Sequence, residues 1–118
     1  MKIEKFKVIE FIRNLILAVD KELENFPKKD IEIKNRIRTN SYDLLELSYE
    51  ANTSEDIESK KKLLVKIISK IKIIDFLLNL SLDKELITQK KYYKLSARID
   101  DIVKYTTGWL KSIQQNKN

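Results

Sequence analysis

The chain has 118 residues, 42% of them hydrophobic and 36% charged, with one glycine, one proline and a formal net charge of +6. Two helix-breaking residues cannot supply the turns between many short strands, so most sheet folds are excluded and one all-α domain over residues 1–118 is expected. Because the sequence has no histidine and no cysteine, it lacks the usual general base, a thiolate nucleophile and the ligands of common zinc and iron–sulfur sites.

The first two periodic segments predict amphipathic helices. In the first, from about Lys5 to Asn25, apolar residues recur at the spacing of one helix face. This helix should end at Phe26-Pro27, because proline donates no backbone hydrogen bond and disfavours helical geometry in the preceding residue. The second segment, from about Lys29 to Ala51, has the same period, and Asn52-Thr53-Ser54 should end it.

Two further helices are predicted in the second half of the chain. Ser54, followed by two acidic residues, has the pattern of an N-cap, so the third helix should begin there and run to about Leu82. Thr88 offers the N-cap of a fourth helix that should extend to about Ile113. The second half of the third helix is apolar nearly all round, which predicts burial from more than one side. The residues concerned are Ile73, Phe76, Leu77 and Leu80.

Helices of this length joined by short links pack most simply with consecutive helices antiparallel. The sequence therefore predicts an up-down-up-down antiparallel four-helix bundle. The residues expected inside it are Ile12, Leu15, Ile37, Leu44, Ile67, Ile71, Ile74, Ile99, Ile102 and Trp109.

The second helix carries another apolar stripe, which a helix in a monomeric bundle does not need. This stripe lies roughly 130° from the core stripe and combines aliphatic and aromatic side chains with an arginine, as buried interface centres do. The first helix adds two apolar residues off its core face. Scattered exposed apolar residues are normal on soluble proteins, but the clustering favours self-association. The predicted oligomer interface consists of Phe6, Leu17, Ile31, Arg38, Tyr42, Leu45 and Tyr49.

The third and fourth helices carry basic stripes instead. Positive residues recur every four positions on each helix, so their side chains are neighbours on one face. Such a row can bind phosphates, and a tyrosine on the same face can stack on an unpaired base. A solvated lysine-rich face gives the same pattern, so both interpretations are open. The predicted nucleic-acid-binding residues are Lys62, Lys66, Lys70, Lys90, Lys94, Arg98 and Tyr105.

The sequence gives little support to a catalytic or a membrane-spanning function. Acidic pairs such as Asp100-Asp101 are adjacent in sequence, so their side chains diverge on a helix and do not converge on one metal or substrate. The longest uncharged run, from Phe76 to Leu82, is far shorter than the ~20 residues that span a bilayer. We therefore expect a non-enzymatic, cytoplasmic protein without catalytic residues, metal site or cofactor.

Four stretches of the sequence resemble a known family. The chain contains ENFPKKD before the second helix, RIRTNSYDLLELSYEAN within it, IIDFLLNLSLDKELITQKKYYKL across the third and fourth helices, and YTTGWLKSI near the end. In this order and spacing they resemble the accessory variability determinant (Avd) proteins of diversity-generating retroelements, within a wider four-helix-bundle family. The resemblance extends from about Phe26 to Ile113.

The resemblance implies a non-enzymatic bundle that forms a homopentamer, binds nucleic acid through basic surface, and works with the reverse transcriptase of the retroelement. We expect the nucleic acid to be RNA or an RNA–DNA hybrid. That enzyme copies a template RNA with errors at adenines, and the cDNA replaces a variable region in a target gene. In a ring, the patch on the second helix must meet a different surface of the next subunit, and the side of Phe6 and Leu17 is the expected one.

Two alternatives to the Avd-like function remain open. The first is a four-helix-bundle protein of the type encoded in intervening sequences of ribosomal RNA genes. The second is a structural, protein-interaction bundle with no nucleic-acid role. Raising the salt concentration separates nucleic-acid binding from an apolar protein contact, because only phosphate contacts weaken steeply as counterions compete.

Overall fold

Four long helices make up most of the fold. The computed structural model describes residues 2–115, with side chains for residues 5–114. The helices are α1 (Lys2–Leu23), α2 (Ile31–Thr53), α3 (Ile57–Asp83) and α4 (Gln89–Gln115), with a single 3₁₀ turn at Lys28–Asp30 before α2. The described residues contain no strand, which confirms the predicted all-α fold.

The helices form a four-cornered bundle. Helix α1 packs against α2 and α4, and α3 packs against the same two helices, while α1 and α3 occupy diagonal corners. Successive helices are antiparallel, which confirms the predicted up-down-up-down arrangement. The bundle is elongated, with principal extents of 51 × 23 × 18 Å.

One apolar core runs through the bundle and takes side chains from all four helices. The ten residues predicted to lie inside are at most 4% exposed, so the predicted inner faces are confirmed. Burying a leucine or isoleucine side chain stabilises the fold by ~1.5–3 kcal/mol relative to leaving it in water. With no disulfide available to this chain, the core is the main source of stability.

Several hydroxyl groups lie in this core without losing their hydrogen bonds. Ser41 and Ser81 donate to the backbone carbonyls of Ile37 and Leu77, four residues earlier, at 2.7 and 2.8 Å. Ser48, which is fully buried, donates to a carbonyl three residues earlier at 2.7 Å. A buried hydroxyl costs little when it is paired in this way, so small polar residues fit on the inner faces.

The start of α3 corrects the predicted N-cap. Ser54 caps the end of α2, where its backbone N–H donates to the carbonyl of Glu50 at 2.9 Å. Asp56 is the N-cap of α3, since its carboxylate accepts from the backbone N–H of Ser59 at 3.0 Å and from the Ser59 hydroxyl at 2.6 Å. A carboxylate is a stronger acceptor than a hydroxyl and is favoured by the positive end of the helix, so the cap lies two residues later than predicted.

The link between α3 and α4 is a compact turn. Glu85 has a φ of 62°, and the N–H of Leu86 donates to the carbonyl of Ser81 at 2.8 Å, as in a Schellman motif. Thr88 is the N-cap of α4, as predicted, because its hydroxyl accepts from the backbone N–H of Lys91 at 3.2 Å. Nearby, Lys84 Nζ lies 3.3 Å from a carboxylate oxygen of buried Asp30, which ties this turn to the start of α2.

The second half of α3 is less buried than predicted. Leu77 is buried and Leu80 is half-buried, but Ile73 and Phe76 are 45% and 64% exposed. Neighbouring helices within the bundle cover only two sides of α3, so its outward side stays in contact with solvent. The expected burial of Ile73 and Phe76 is therefore wrong for the isolated chain.

Candidate nucleic-acid and self-association surfaces

The basic stripe on α4 runs from beside Lys91 to Arg98, which lies on the side of the helix that faces α1. Next to the stripe, Lys91 Nζ lies 3.1 Å from a carboxylate oxygen of Glu22 on α1. The stripe residues are all exposed, and none of them makes an ion pair with another described side chain. They are Lys90, Lys94 and Arg98, named here the α4 stripe. Their charges are therefore available to a partner.

Further along, the α4 stripe borders a groove between α1 and α4. This groove has a volume of about 580 Å³, and Arg98 lines it together with Leu17, Lys21 and Glu24 of α1. Tyr105, two turns beyond Arg98, is half-buried, and its ring packs edge-on against Phe11 at 5.3 Å between centroids. The structure thus places the tyrosine predicted for base stacking on the same side of the bundle as the α4 stripe.

The basic stripe on α3, formed by Lys62, Lys66 and Lys70 and named here the α3 stripe, has different surroundings. Lys70 Nζ lies 3.0 Å from Asn40 Oδ1 and 3.0 Å from Asp43 Oδ2, both on α2. This lysine therefore already has a charged partner within the chain. Lys62 and Lys66 are exposed and make no salt bridge with a described side chain, although the charge of Lys62 contributes to the lowered pKa of Asp56.

Acidic side chains of α2 stand opposite the α3 stripe. A groove of about 520 Å³ separates the two helices, and its floor is apolar. Its α2 wall carries Asp43, Glu46 and Glu50, and its α3 wall carries Lys66 and Lys70. Carboxylates this close repel phosphate. The groove beside the α4 stripe is lined by two carboxylates, Asp20 and Glu24, against three here, so the α3 stripe is the weaker site for a polyanion.

The structure does not bring the two basic stripes together. The α3 stripe borders the groove between α2 and α3, whereas the α4 stripe borders the groove between α1 and α4. The two grooves have no helix in common and lie on different sides of the bundle. One straight nucleic-acid strand on a single subunit therefore contacts one stripe or the other.

Most of the predicted interface residues are available at the surface. Phe6, Leu17, Ile31, Tyr42 and Tyr49 are between 45% and 68% exposed, while Arg38 and Leu45 are half-buried. Arg38 donates to a carboxylate oxygen of Asp20 on α1 at 3.3 Å, so it also links two helices within the chain. Contact with a second subunit stays a prediction.

One apolar surface was missed by the sequence analysis. Val65, Ile73 and Phe76 lie on the outward face of α3, and each is at least 45% exposed. The signal was present in the sequence as the apolar character of α3 on all sides. It was interpreted as burial within the bundle, because the sequence alone does not show which sides of α3 the other helices cover.

Two kinds of site were sought among the described residues, a metal-holding cluster and a membrane-spanning helix. They contain no group of three or more acidic side chains placed to hold a metal ion. None of the described helices has an apolar stretch long enough to cross a bilayer. Asp56 has a lowered pKa because its carboxylate accepts hydrogen bonds from Ser59, which is a capping role.

The fold and these surfaces define a small basic four-helix bundle whose exposed features are suited to binding. The profile of the bAvd-like family matches residues 4–113, and the chain belongs to that family, which confirms the resemblance to the Avd accessory proteins. No curated protein matches the chain, and no solved structure matches it.

Proposed function

We propose that this protein is a non-enzymatic, cytoplasmic accessory factor of a diversity-generating retroelement. In this role it binds the template RNA, or the hybrid with its cDNA, together with the reverse transcriptase, and so supports mutagenic retrohoming. It acts as a homo-oligomer, five-fold as the family resemblance implies. Membership of the bAvd-like family supports the retroelement context.

The observation that carries nucleic-acid binding is the α4 stripe. Its three cationic side chains are exposed, spaced one helical turn apart, and free of ion pairs with the described residues. Phosphate contacts of this kind release counterions and supply most of the affinity of sequence-independent binding. The α3 stripe is the second candidate for the same role, and the carboxylates of α2 beside it make it the weaker one.

Oligomerisation strengthens this proposal. Each subunit carries a net charge of +6 and one α4 stripe, so a ring repeats the stripe around a single particle. Linked weak contacts gain avidity without any new contact. Lysines meet phosphates as point charges and read no bases, so sequence preference should be slight and specificity should come from RNA shape or from the polymerase.

Charge reversal on α4 tests the proposal. Lys94→Glu with Arg98→Glu should weaken binding to several unrelated RNAs by at least about tenfold, measured by fluorescence anisotropy. The control is Lys28→Glu with Lys29→Glu, which makes the same charge change at exposed positions of the 3₁₀ turn before α2. Equal losses in both variants would show that only net charge matters, and unchanged affinity in the α4 stripe variant would refute the site.

A further inference from the structure

The outward face of α3 combines apolar and basic side chains. We name it the α3 patch. Ile73 and Phe76 are one turn apart and Val65 lies further towards the start of the helix; all three are exposed. Exposed lysines lie around them, at positions 62, 66 and 72. A basic rim around an exposed apolar centre is typical of a protein docking surface, since large apolar side chains are costly to leave in water.

The outward face of the second half of α2 has the complementary composition. We name it the α2 patch. It presents two exposed aromatic rings, Tyr42 and Tyr49, and two exposed carboxylates, Glu46 and Glu50. The sequence is divided in the same way, with six acidic and no basic residues in positions 39–59 and six basic and no acidic residues in positions 60–74.

We propose that the α3 patch of one copy docks on the α2 patch of a second copy of this chain. Phe76 and Ile73 then pack against the tyrosine rings, and the lysines of the rim face the carboxylates of the other copy. This inference rests on the self-association within the proposed function and assigns the surface that carries it. From the sequence, the α2 surface was expected to contact α1 of the neighbouring copy. We assign that contact to α3 instead.

Charge complementarity identifies a second copy as the occupant. The lysines of the α3 patch would attract any acidic partner, but the apolar side chains among them need an apolar surface to become dehydrated. The α2 patch supplies both, whereas an RNA backbone supplies only charge. Within one chain Glu46 and Glu50 line the same groove as Lys66, but among the described residues only Lys70 makes an ion pair with a carboxylate of α2. The other charges of the two patches can therefore pair with another copy.

Helix α1 fits this role less well. Phe6 and Leu17 are separated by eleven residues, which is about 16 Å along a helix, and the exposed residues between them are polar. They are therefore two isolated apolar side chains. The exposed pair on α3 is contiguous and has the charge opposite to that of the α2 patch.

The positions of the two patches favour a closed assembly. They are different surfaces, so the contact is heterologous and leads either to a ring or to a filament. Helices α2 and α3 occupy neighbouring corners of the bundle, and their outward faces therefore point away from the axis in directions that are not opposite. Each subunit is then rotated relative to the previous one about a common axis, as a ring requires.

Serine substitutions at matched positions give the first test. Phe76→Ser should weaken self-association by at least about tenfold in light scattering or sedimentation, because it removes the centre of the docking surface. Leu17→Ser is the control, since Leu17 is 68% exposed and Phe76 is 64% exposed. It should leave the mass unchanged. Circular dichroism should show both variants as helical as the parent, because neither side chain is part of the core.

Charge reversal gives the second test. Lys62→Glu with Lys66→Glu should lower the oligomer mass, and so should Glu46→Lys with Glu50→Lys. All four changes in one chain, named here the fourfold reversal, should restore the mass, because each contact then has both charges exchanged. The control pair, Lys28→Glu with Lys29→Glu, should leave the mass unchanged.

The outcomes separate this inference from nucleic-acid binding by the α4 stripe. An oligomeric parent whose mass falls with Leu17→Ser, and not with Phe76→Ser, would overturn the α3 patch while leaving self-association intact. A parent protein of 14.0 kDa in solution would overturn the docking even if it bound RNA. Failure of the fourfold reversal to restore the mass would overturn the charge pairing. Loss of RNA binding in the α4 stripe variant, measured on the same samples, reports on the proposed function alone.

Discussion

Helices α3 and α4 are both 27 residues long and both carry three basic residues at four-residue spacing, yet they present different surfaces. The stripe on α3 stands beside the carboxylates of α2 and next to exposed apolar side chains, and one of its lysines is already paired. The stripe on α4 is exposed and makes no ion pair with the described residues, and the exposed apolar side chains near it, Leu17 and Tyr93, lie on two different helices. The same spacing therefore supports protein docking on one helix and phosphate binding on the other, and the neighbouring groups decide between them.

The largest predicted effect is the difference in stability between substitutions on the inner and outer faces of α3. Ile74 is fully buried and its neighbour Ile73 is 45% exposed. Ile74→Ala should lower the free energy of unfolding by about 3 kcal/mol through reduced transfer energy and a residual cavity. Ile73→Ala should cost less than about 1 kcal/mol in dilute protein, measured by urea denaturation, and should instead reduce the oligomer mass.

The link between the two helices gives the next largest effect. Glu85 has a left-handed backbone with a φ of 62°, where a side chain costs about 1 kcal/mol relative to glycine. Glu85→Gly should therefore stabilise the protein by about 0.5–1 kcal/mol in thermal or urea unfolding. Glu85→Ala keeps the Cβ and is the control. A stabilisation by alanine as large as that by glycine would contradict the assigned strain.

The paired lysine of the α3 stripe gives a smaller effect. Asp43→Ala removes the carboxylate that lies 3.0 Å from Lys70 Nζ. Because both side chains are more than a third exposed to water, the decrease in stability should be only about 0.5 kcal/mol. RNA affinity should stay within about twofold of the parent, since the α3 stripe is assigned to docking. Asp100→Ala, at an exposed position on α4, controls for the change in net charge.

The smallest effect concerns the N-caps, which differ in their response to pH. Asp56 caps α3 and its pKa is lowered from an ordinary value of 3.8, chiefly by the hydrogen bond from the Ser59 side chain. A lowered pKa means that the stabilisation is present above pH 3.8 and is lost as the pH falls through the pKa of the folded protein. The neutral cap of α4, Thr88, adds no such dependence.

Asparagine at position 56 tests this pH dependence. Asp56→Asn keeps a capping side chain but removes its charge, so Tm near neutral pH should fall by a few degrees at most. The decline of Tm in acid should become shallower than in the parent. An identical acid profile in the two proteins would show that the carboxylate of Asp56 contributes nothing to acid stability.

The sequence was sufficient for the fold because the core pattern is strong. The spacing of residues such as Ile71 and Ile74 predicted the inner faces of the helices, and the scarcity of glycine and proline excluded sheets. The single glycine lies inside α4, and the left-handed turn residue is Glu85, so no glycine signalled the turn between α3 and α4. The N-cap at Asp56 was missed because Ser54 has equally good capping chemistry.

The surfaces were only partly predictable. Spacing identified both basic stripes, but it does not show which helix stands opposite each stripe or that Asp43 reaches Lys70. Packing decides whether an apolar residue such as Phe76 faces the core or the solvent, and a helix that is apolar on all sides fits either case. Which groups are neighbours is a property of the assembled bundle.

The most direct measurement is the salt dependence of RNA binding, with the two stripes compared in oligomers of the same mass. The slope of log K against log salt should flatten by about one unit for each phosphate that Lys94→Glu with Arg98→Glu no longer neutralises. The fourfold reversal keeps the oligomer and the net charge but moves two positive charges from the α3 stripe to positions 46 and 50 of α2, and it should leave the slope of the parent unchanged. A flattened slope in the fourfold reversal, with an unchanged slope in the α4 stripe variant, would contradict the assignment of phosphate binding to α4.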